Sequence, residues 1–320
     1  MTLLDSSTEP PAVLIMGPTG AGKTDLVLRL AEDWPIDIIS VDSAMVYRGM
    51  DIGTGKPSRE LLARHPHRLV DILDPSRAYS AGQFLRDAKA AIAEAHQRSR
   101  LPVLVGGTML YFRALRRGLA ELPSADPDMR AQLDRDAAER GWPAMHRDLA
   151  TIDPKAAARI QPNDAQRIQR ALEVFRLTGK TLSELHATKH PPAPDVRFFA
   201  YAWVPSDRER LHAGIEARFH RMMEEGLLNE VRALYARGDL HADLPAIRSV
   251  GYRQLWEHLR GHEPLESAVQ RAIFATRQLA RRQLIWLRSE RDVHWIDALD
   301  SAADAQMVQA IGSVLNERRI

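Results

Sequence analysis

The chain has 320 residues, enough for one large α/β domain carrying an insertion or for two domains. Hydrophobic residues make up 45% and charged residues 27%, the balance of a globular chain rather than a disordered one. Cysteine is absent, which excludes a disulfide framework, thiol catalysis and cysteine-ligated zinc, and fits a reducing compartment.

No stretch approaches the ~18 consecutive apolar residues of a membrane span. The opening MTLLDSSTEPP has neither the basic start nor the apolar run of a signal peptide, so a cytoplasmic location is expected. Net charge is only +2 while the sequence pI is near 9.0, and the charge is unevenly spread. Arg271 to Arg288 holds five arginines and no acid.

In chain order, AVLIM (12–16) is an apolar run that stops at a glycine and reads as a buried strand. A helix is predicted from Lys23 to Asp33. IDIISV (36–41), RLVDIL (68–73) and LPVLV (101–105) read as further strands. Between the last two, Phe84, Ala88, Ala91 and Ala95 mark one face of a helix over 81–99. Strands alternating with helices predict a mostly parallel sheet covered on both faces.

From Pro123 to about Leu185 the strand signal disappears. Ser124 and Asp126 are cap candidates for a first helix stopped by Gly141. Asn163 is placed to cap a second, with Ile168, Ala171, Leu172 and Phe175 as its stripe and Gly179 as its stop. The prolines of HPPAPD (190–195) break any helix. The expected layout is therefore a sheet domain, 1–122 and 191–320, interrupted by a helical insertion, 123–190. VRFFAYAWV (196–204) returns to the sheet. Helices are predicted near 207–225, 227–237, 249–259, 264–289 and 301–317, with Trp256, Trp286 and Trp295 assigned to the core.

The motif with chemical content is GPTGAGKT, residues 17–24: Gly17, four residues, then Gly22-Lys23-Thr24. Glycines let the backbone turn so that several N–H groups aim at one anion, and the helix that follows adds its positive end. Lys23 supplies a point charge, and the Thr24 hydroxyl is suited to Mg²⁺. An ATPase would also carry an apolar strand ending in Asp. Here LPVLV ends in Gly106-Gly107-Thr108, and the carboxylate follows IDIISV instead, as Asp42. The ends of parallel strands are where such sheets place ligands.

GPTGAGKT, DSAMVYRGMDIGTGKP (42–57), GGTMLYFRALRRGL (106–119) and ATRQLARRQLIWLR (275–288), in this order, resemble the bacterial tRNA dimethylallyltransferases. HPHRLVDILDPSRAYSAGQF, NDAQRIQRALEVFRLTGK and RFHRMMEEGLLNEVRAL fit the same family, so the likeness runs from about Val13 to Trp295. The resemblance implies a P-loop NTPase-like α/β fold with an all-helical insertion domain and a helical C-terminal region. It implies transfer of a dimethylallyl group from its diphosphate to N6 of the adenine on the 3′ side of a tRNA anticodon. Residues 17–24, Gly17-Pro18-Thr19-Gly20-Ala21-Gly22-Lys23-Thr24, would then cradle the donor's diphosphate, with Mg²⁺ on Thr24. Asp42 would be the base toward N6, Thr108 a hydrogen-bonding partner beside it, and Arg218 of ARFHRM a guanidinium clamp.

The same resemblance assigns the tRNA anticodon stem-loop to several segments. They are Asp42-Ser43-Ala44-Met45 with Thr108, Arg130, and Gln166-Arg167-Ile168-Gln169-Arg170 in the insertion. In the C-terminal part they are Arg248-Ser249-Val250-Gly251-Tyr252-Arg253, with Tyr252 as a stacking group, and Arg281-Arg282-Gln283-Leu284-Ile285-Trp286-Leu287-Arg288. Arginines at 277, 281 and 288 share a helical face suited to phosphates. Many family members carry Gln after the Asp-Ser pair, where this chain has Ala44-Met45. A monomer with no membrane or obligate protein partner is expected. Two other readings of the loop remain: a nucleotide or small-molecule kinase, and an RNA-binding protein without catalysis.

Overall fold

The computed structural model describes residues 9–187 and 196–317. The turn expected at 190–195, and with it the domain boundary expected at 190/191, lies outside them. The chain begins β1 (Pro11–Met16), α1 (Lys23–Asp33), β2 (Ile36–Val41), α2 (Arg59–Arg64), β3 (His67–Arg68), α3 (Ala81–Gln97), β4 (Leu101–Gly106) and α4 (Met109–Arg117). It continues through five helices: α5 (Pro127–Arg140), α6 (Trp142–Ile152), α7 (Pro154–Ala157), α8 (Ala165–Thr178) and α9 (Leu182–Ala187). Then come β5 (Arg197–Val204), α10 (Arg208–Glu224), α11 (Leu227–Tyr235), α12 (Tyr252–Leu259), α13 (Leu265–Arg288), β6 (His294–Asp297) and α14 (Ala303–Glu317).

The strands form one parallel sheet in the order β3-β2-β4-β1-β5-β6. Side chains alternate across it, and both faces are covered. Leu14 and Met16 of β1 pack with Phe84, Ala88 and Phe112 on one face. Val13 and Ile15 pack with Leu26, Val27, Met307 and Ile311 on the other. This double burial is why AVLIM carries no polar alternation. A further apolar core joins α10, α11, α12 and α13 to Val46, Tyr47 and Met50, just beyond β2. Among the described residues no helix is long and apolar enough to cross a membrane.

RLVDIL is not a strand. Pairing with β2 stops at Arg68, and Leu69 and Asp71 have φ of 64° and 57°. The chain turns there so that the N–H groups of Asp71 and Ile72 donate to Met45 O and Val46 O. Conversely, β6 was not expected: only four residues, HWID, pair with β5 at the sheet edge. Ile296 faces the core, whereas Trp295 is 48% exposed, so the core assignment of Trp295 fails by one step of strand alternation.

The contacts divide the chain into two compact units, Met1–Arg116 with Ala193–Ile320, and Arg117–Pro192. In the second unit, Leu133, Met145, Leu149, Ile168 and Leu172 form the core. Asp126 caps α5 by accepting from Met129 N, and Asp164, not Asn163, caps α8 by accepting from Arg167 N. Gly179 ends α8 in the left-handed conformation with its N–H on Phe175 O. Glu173 is fully buried beneath Arg130 and Arg170, and Asp126 N also donates to it.

Candidate active site

β1 ends in the phosphate loop. Any Cβ on Gly17 would overlap the Trp203 carbonyl, so close packing against β5 fixes glycine there. Gly20 and Gly22 take φ of 81° and 78°, turning the loop into α1. Two side chains pin it from outside: Trp203 Nε1 donates to Ala21 O at 2.8 Å, and Gln283 Oε1 accepts from Thr19 N at 2.8 Å. The Lys23 ammonium donates to Pro18 O at 2.6 Å. Burial of the ammonium, aided by the nearby Arg218 and opposed by Asp42, pushes Lys23 down to about 7.

Asp42 follows β2. Its Oδ1 accepts from the N–H groups of Ala44 and Met45 at 2.8 and 3.2 Å, closing a tight turn. Thr108 follows β4; its N–H donates to Val41 O at 3.2 Å and its Oγ1 accepts from Ser43 N at 3.1 Å. The ends of the adjacent strands β2 and β4 are thereby tied together. Arg218 reaches in from α10 and donates to Thr19 Oγ1 at 3.5 Å. Burial is the main influence lowering its pKa, against the pull of Asp42 and Asp25. Gly55 makes room for it, since a Cβ there would overlap the guanidinium.

The Gly55 loop is built by Glu230 and Lys56, which no sequence motif singles out, together with Tyr252. Glu230 accepts from the N–H groups of Asp51 and Ile52 at 2.8 Å each and from Gly53 N at 3.1 Å. The Tyr252 hydroxyl donates to it at 2.5 Å. Lys56 is held by Tyr47 O, Asp51 and Asp71.

Two cavities meet here. One, of about 1230 Å³, runs over the phosphate loop, Lys23, Thr24, Lys56 and Arg221. The other, of about 490 Å³, is lined largely by apolar groups, among them Met109, Leu110, Ile215, Phe219 and Trp286, with Arg248 and Arg282. Thr19, Asp42, Gly107, Arg218 and Gln283 border both.

The model of the IPP transferase family matches residues 45–290. The chain belongs to the IPP transferase family. Solved structures extend the likeness over the phosphate loop. A full-length tRNA isopentenylpyrophosphate transferase from Bacillus halodurans is 36% identical, with 97% of this chain and 98% of that one covered and a TM-score of 0.71. A tRNA delta(2)-isopentenylpyrophosphate transferase from Staphylococcus epidermidis is 31% identical, covering 97% and 100%, at 0.68. A eukaryotic dimethylallyltransferase acting on tRNA is 26% identical, covering 95% and 79%, at 0.78. The P-loop-like fold is thus shared, and a kinase reading of the loop gains no support.

Within this IPP transferase the phosphate loop, Asp42, Thr108 and Arg218 lie together around the two cavities. Other expected residues divide. Arg248, Arg253, Arg281, Arg282 and Arg288 are exposed, as are Gln166 and Arg167, the latter paired with Asp164. Ser43 is exposed and Ala44, Met45, Ser249 and Val250 are half-buried.

Several expected RNA contacts are spoken for. Tyr252 has no exposed surface and serves Glu230, so its ring cannot stack on a base. Burial, with Glu230 beside it, raises its pKa far above the ordinary tyrosine value. Ile168 and Leu287 are wholly buried, and Gly251 is buried at the start of α12. Leu284 packs on Leu211 and Ile215, whereas Ile285 is exposed. Arg130 and Arg170 hold Glu173, Gln169 donates to Asp134, and Arg277 pairs with Glu216. Trp286 is half-buried, with the Arg113 guanidinium 4.3 Å above its ring.

Among the described residues no cluster of His, Asp or Glu side chains could hold a metal by itself. The donor set suits Mg²⁺ only in the manner of phosphate-bound magnesium, with few protein ligands and the rest from phosphate and water. Thr24, in the phosphate cavity, would be the protein ligand.

Proposed function

We propose that this IPP transferase moves a dimethylallyl group from dimethylallyl diphosphate to N6 of the adenine 3′-adjacent to the anticodon of a tRNA, releasing diphosphate. Family membership supports prenyl transfer to tRNA. The observation that carries the finer reading is the shared border of the two cavities. The pocket over the phosphate loop and a more apolar one meet at Asp42 and Arg218, so two substrates can reach one point.

In this reading the donor's diphosphate sits against the loop amides, Lys23 and Arg218. As the C1–O bond breaks, its electron pair leaves with the diphosphate. Donors already in position stabilise that growing charge more than the ground state. Mg²⁺ on Thr24, when bound, would neutralise further charge on the same oxygens. The N6 lone pair forms the new bond to C1, and the surplus N6 proton passes to Asp42. Oδ1 of Asp42 is already engaged by two amides, which leaves Oδ2 for the amine. Thr108 Oγ1 stands beside it, fixed by Ser43 N. The adenine must be unstacked to enter, at a cost of a few kcal/mol. The apolar lining of the smaller cavity then keeps water from the allylic carbon.

The test is mass spectrometry of nucleosides from unmodified tRNA incubated with the protein, Mg²⁺ and donor. An adenosine bearing one added dimethylallyl group is expected, and mass mapping of ribonuclease fragments should place it next to the anticodon on its 3′ side. Unmodified nucleosides throughout, from folded protein, would refute the proposal.

A further inference from the structure

Gln283 lies in the arginine-rich stretch of α13, between Arg282 and Leu284, where sequence suggests an RNA contact. Its side chain does something else. Oε1 accepts from Thr19 N at 2.8 Å, and Nε2 donates to Gly107 O at 2.9 Å. The amide has one orientation that satisfies both neighbours, because an N–H needs the oxygen and a carbonyl needs the NH₂. Thr19 belongs to the phosphate loop after β1, and Gly107 follows β4, the strand beside it. One side chain thus bridges the ends of two neighbouring strands.

The consequences run in both directions. Through Thr19, whose Oγ1 accepts from Arg218, the bridge sets both the loop and the guanidinium. Through Gly107 it sets the turn that carries Thr108, whose hydroxyl holds Ser43 next to Asp42. A Cβ at position 107 would overlap Nε2 and push the amide aside. Two glycines after a strand can be read as a flexible turn; here the second one makes space for an amide.

We propose that Gln283 is a positioning residue for the donor's diphosphate, holding the phosphate loop in register with the Gly107–Thr108 turn, and not an RNA contact. This rests on the reading that the loop holds the donor. Without the amide, Thr19 N–H and Gly107 O lose their partners in a half-buried site, and the loop amides no longer converge on one point. Donor binding suffers while the exposed arginines of α13 still meet RNA.

The experiment compares Gln283→Met, which keeps length and removes both hydrogen bonds, with the wild type. Gly107→Ala serves as a second, independent way to displace the amide. Steady-state kinetics give KM for donor and for tRNA separately, calorimetry gives the affinity for inorganic diphosphate, and a thermal melt confirms folding. Loss of two hydrogen bonds predicts about a tenfold rise in donor KM and a similar loss of diphosphate affinity. KM for tRNA should stay within about twofold of wild type. A rise in tRNA KM as large as that for donor, or an unchanged donor KM, overturns the assignment. Failure of the underlying reading would look different: the wild type itself would transfer nothing from dimethylallyl diphosphate.

Discussion

Donor binding should draw a proton onto Lys23. In the protein without donor, burial and the neighbouring Arg218 bring this lysine from 10.5 to about 7, with Asp42 pulling the other way. At pH 8.5 a group of that pKa is about 3% protonated. A diphosphate seated against the nitrogen favours the charged form and moves the pKa back up. Each unit recovered is worth about 1.4 kcal/mol. Donor affinity should therefore fall by up to about tenfold per pH unit above 7, for as long as the bound lysine stays protonated. The donor's own last ionisation lies near ~6, so above pH 7.5 the proton comes to the protein. Calorimetry at pH 8.5 in two buffers of different ionisation enthalpy measures it directly. Uptake of about 0.9 proton is expected in the wild type, and close to none in Lys23→Met. The sign also fixes the stability of the donor-free protein. The unfolded lysine binds its proton up to 10.5 and the folded one only to about 7, so this group makes stability rise with pH across that window. Absence of proton uptake in the wild type, with the same pH slope in Lys23→Met, would refute the reasoning.

Three further outcomes are expected. Asp42→Asn keeps an oxygen for the amides of Ala44 and Met45 but removes the base; kcat at saturating donor should fall roughly 10²–10⁴-fold, as read by single-turnover transfer. Arg281→Ala removes an exposed cation, so tRNA binding should weaken at low salt, the salt slope should shrink by about one, and donor KM should not move; filter binding across a salt series checks this. Glu173→Gln leaves Arg130 and Arg170 facing a neutral amide and should cost about 2–4 kcal/mol of the insertion unit's stability, measured by thermal melts of the full chain. Burial alone would raise the Glu173 pKa, but hydrogen bonds from Arg130, Arg170 and Asp126 N hold it below the ordinary glutamate value. Its contribution is therefore complete above the unfolded pKa, near ~4.3, and is lost as pH falls through the folded pKa. The variant should lack that acid dependence.

What the sequence made legible is what local chemistry forces. A phosphate cradle needs glycine, lysine and a hydroxyl at fixed spacing, and strands buried on both faces need unbroken apolar runs; both could be read from residues 12–24. Asp42 stood out because it ends a strand beside that cradle. RLVDIL misled because its composition suits a strand, while its backbone is bent by hydrogen bonds to residues more than twenty positions earlier. HWID was passed over because a four-residue edge strand has little pattern of its own and exists through pairing with β5. Glu230, Gly55 and Gln283 act across separations of more than 150 residues, and nothing near them in sequence announces their partners. Tyr252 shows the reverse error: next to a glycine and two arginines it looks like a stacking group, yet its ring is core and its hydroxyl is an anchor.

The placement of the cations bears on why a phosphate cradle suits a reaction with no nucleotide hydrolysis. Burial is the main influence that disfavours charge on Lys23 and on Arg218; Arg218 adds to it at Lys23, and Arg221 adds to it at Arg218. Gly55, shaped to the guanidinium, and Gln283, clamping the loop, hold these groups in place. An anion relieves that penalty on charge, and one whose charge grows during the reaction relieves it most at the transition state. In the proposed reaction a diphosphate leaving from carbon would gain charge in this way, on oxygens held against the loop amides. The same cations would hold a nucleotide's phosphates in the ground state, but in the proposed reaction their fixed positions would lower the barrier to bond breaking at C1.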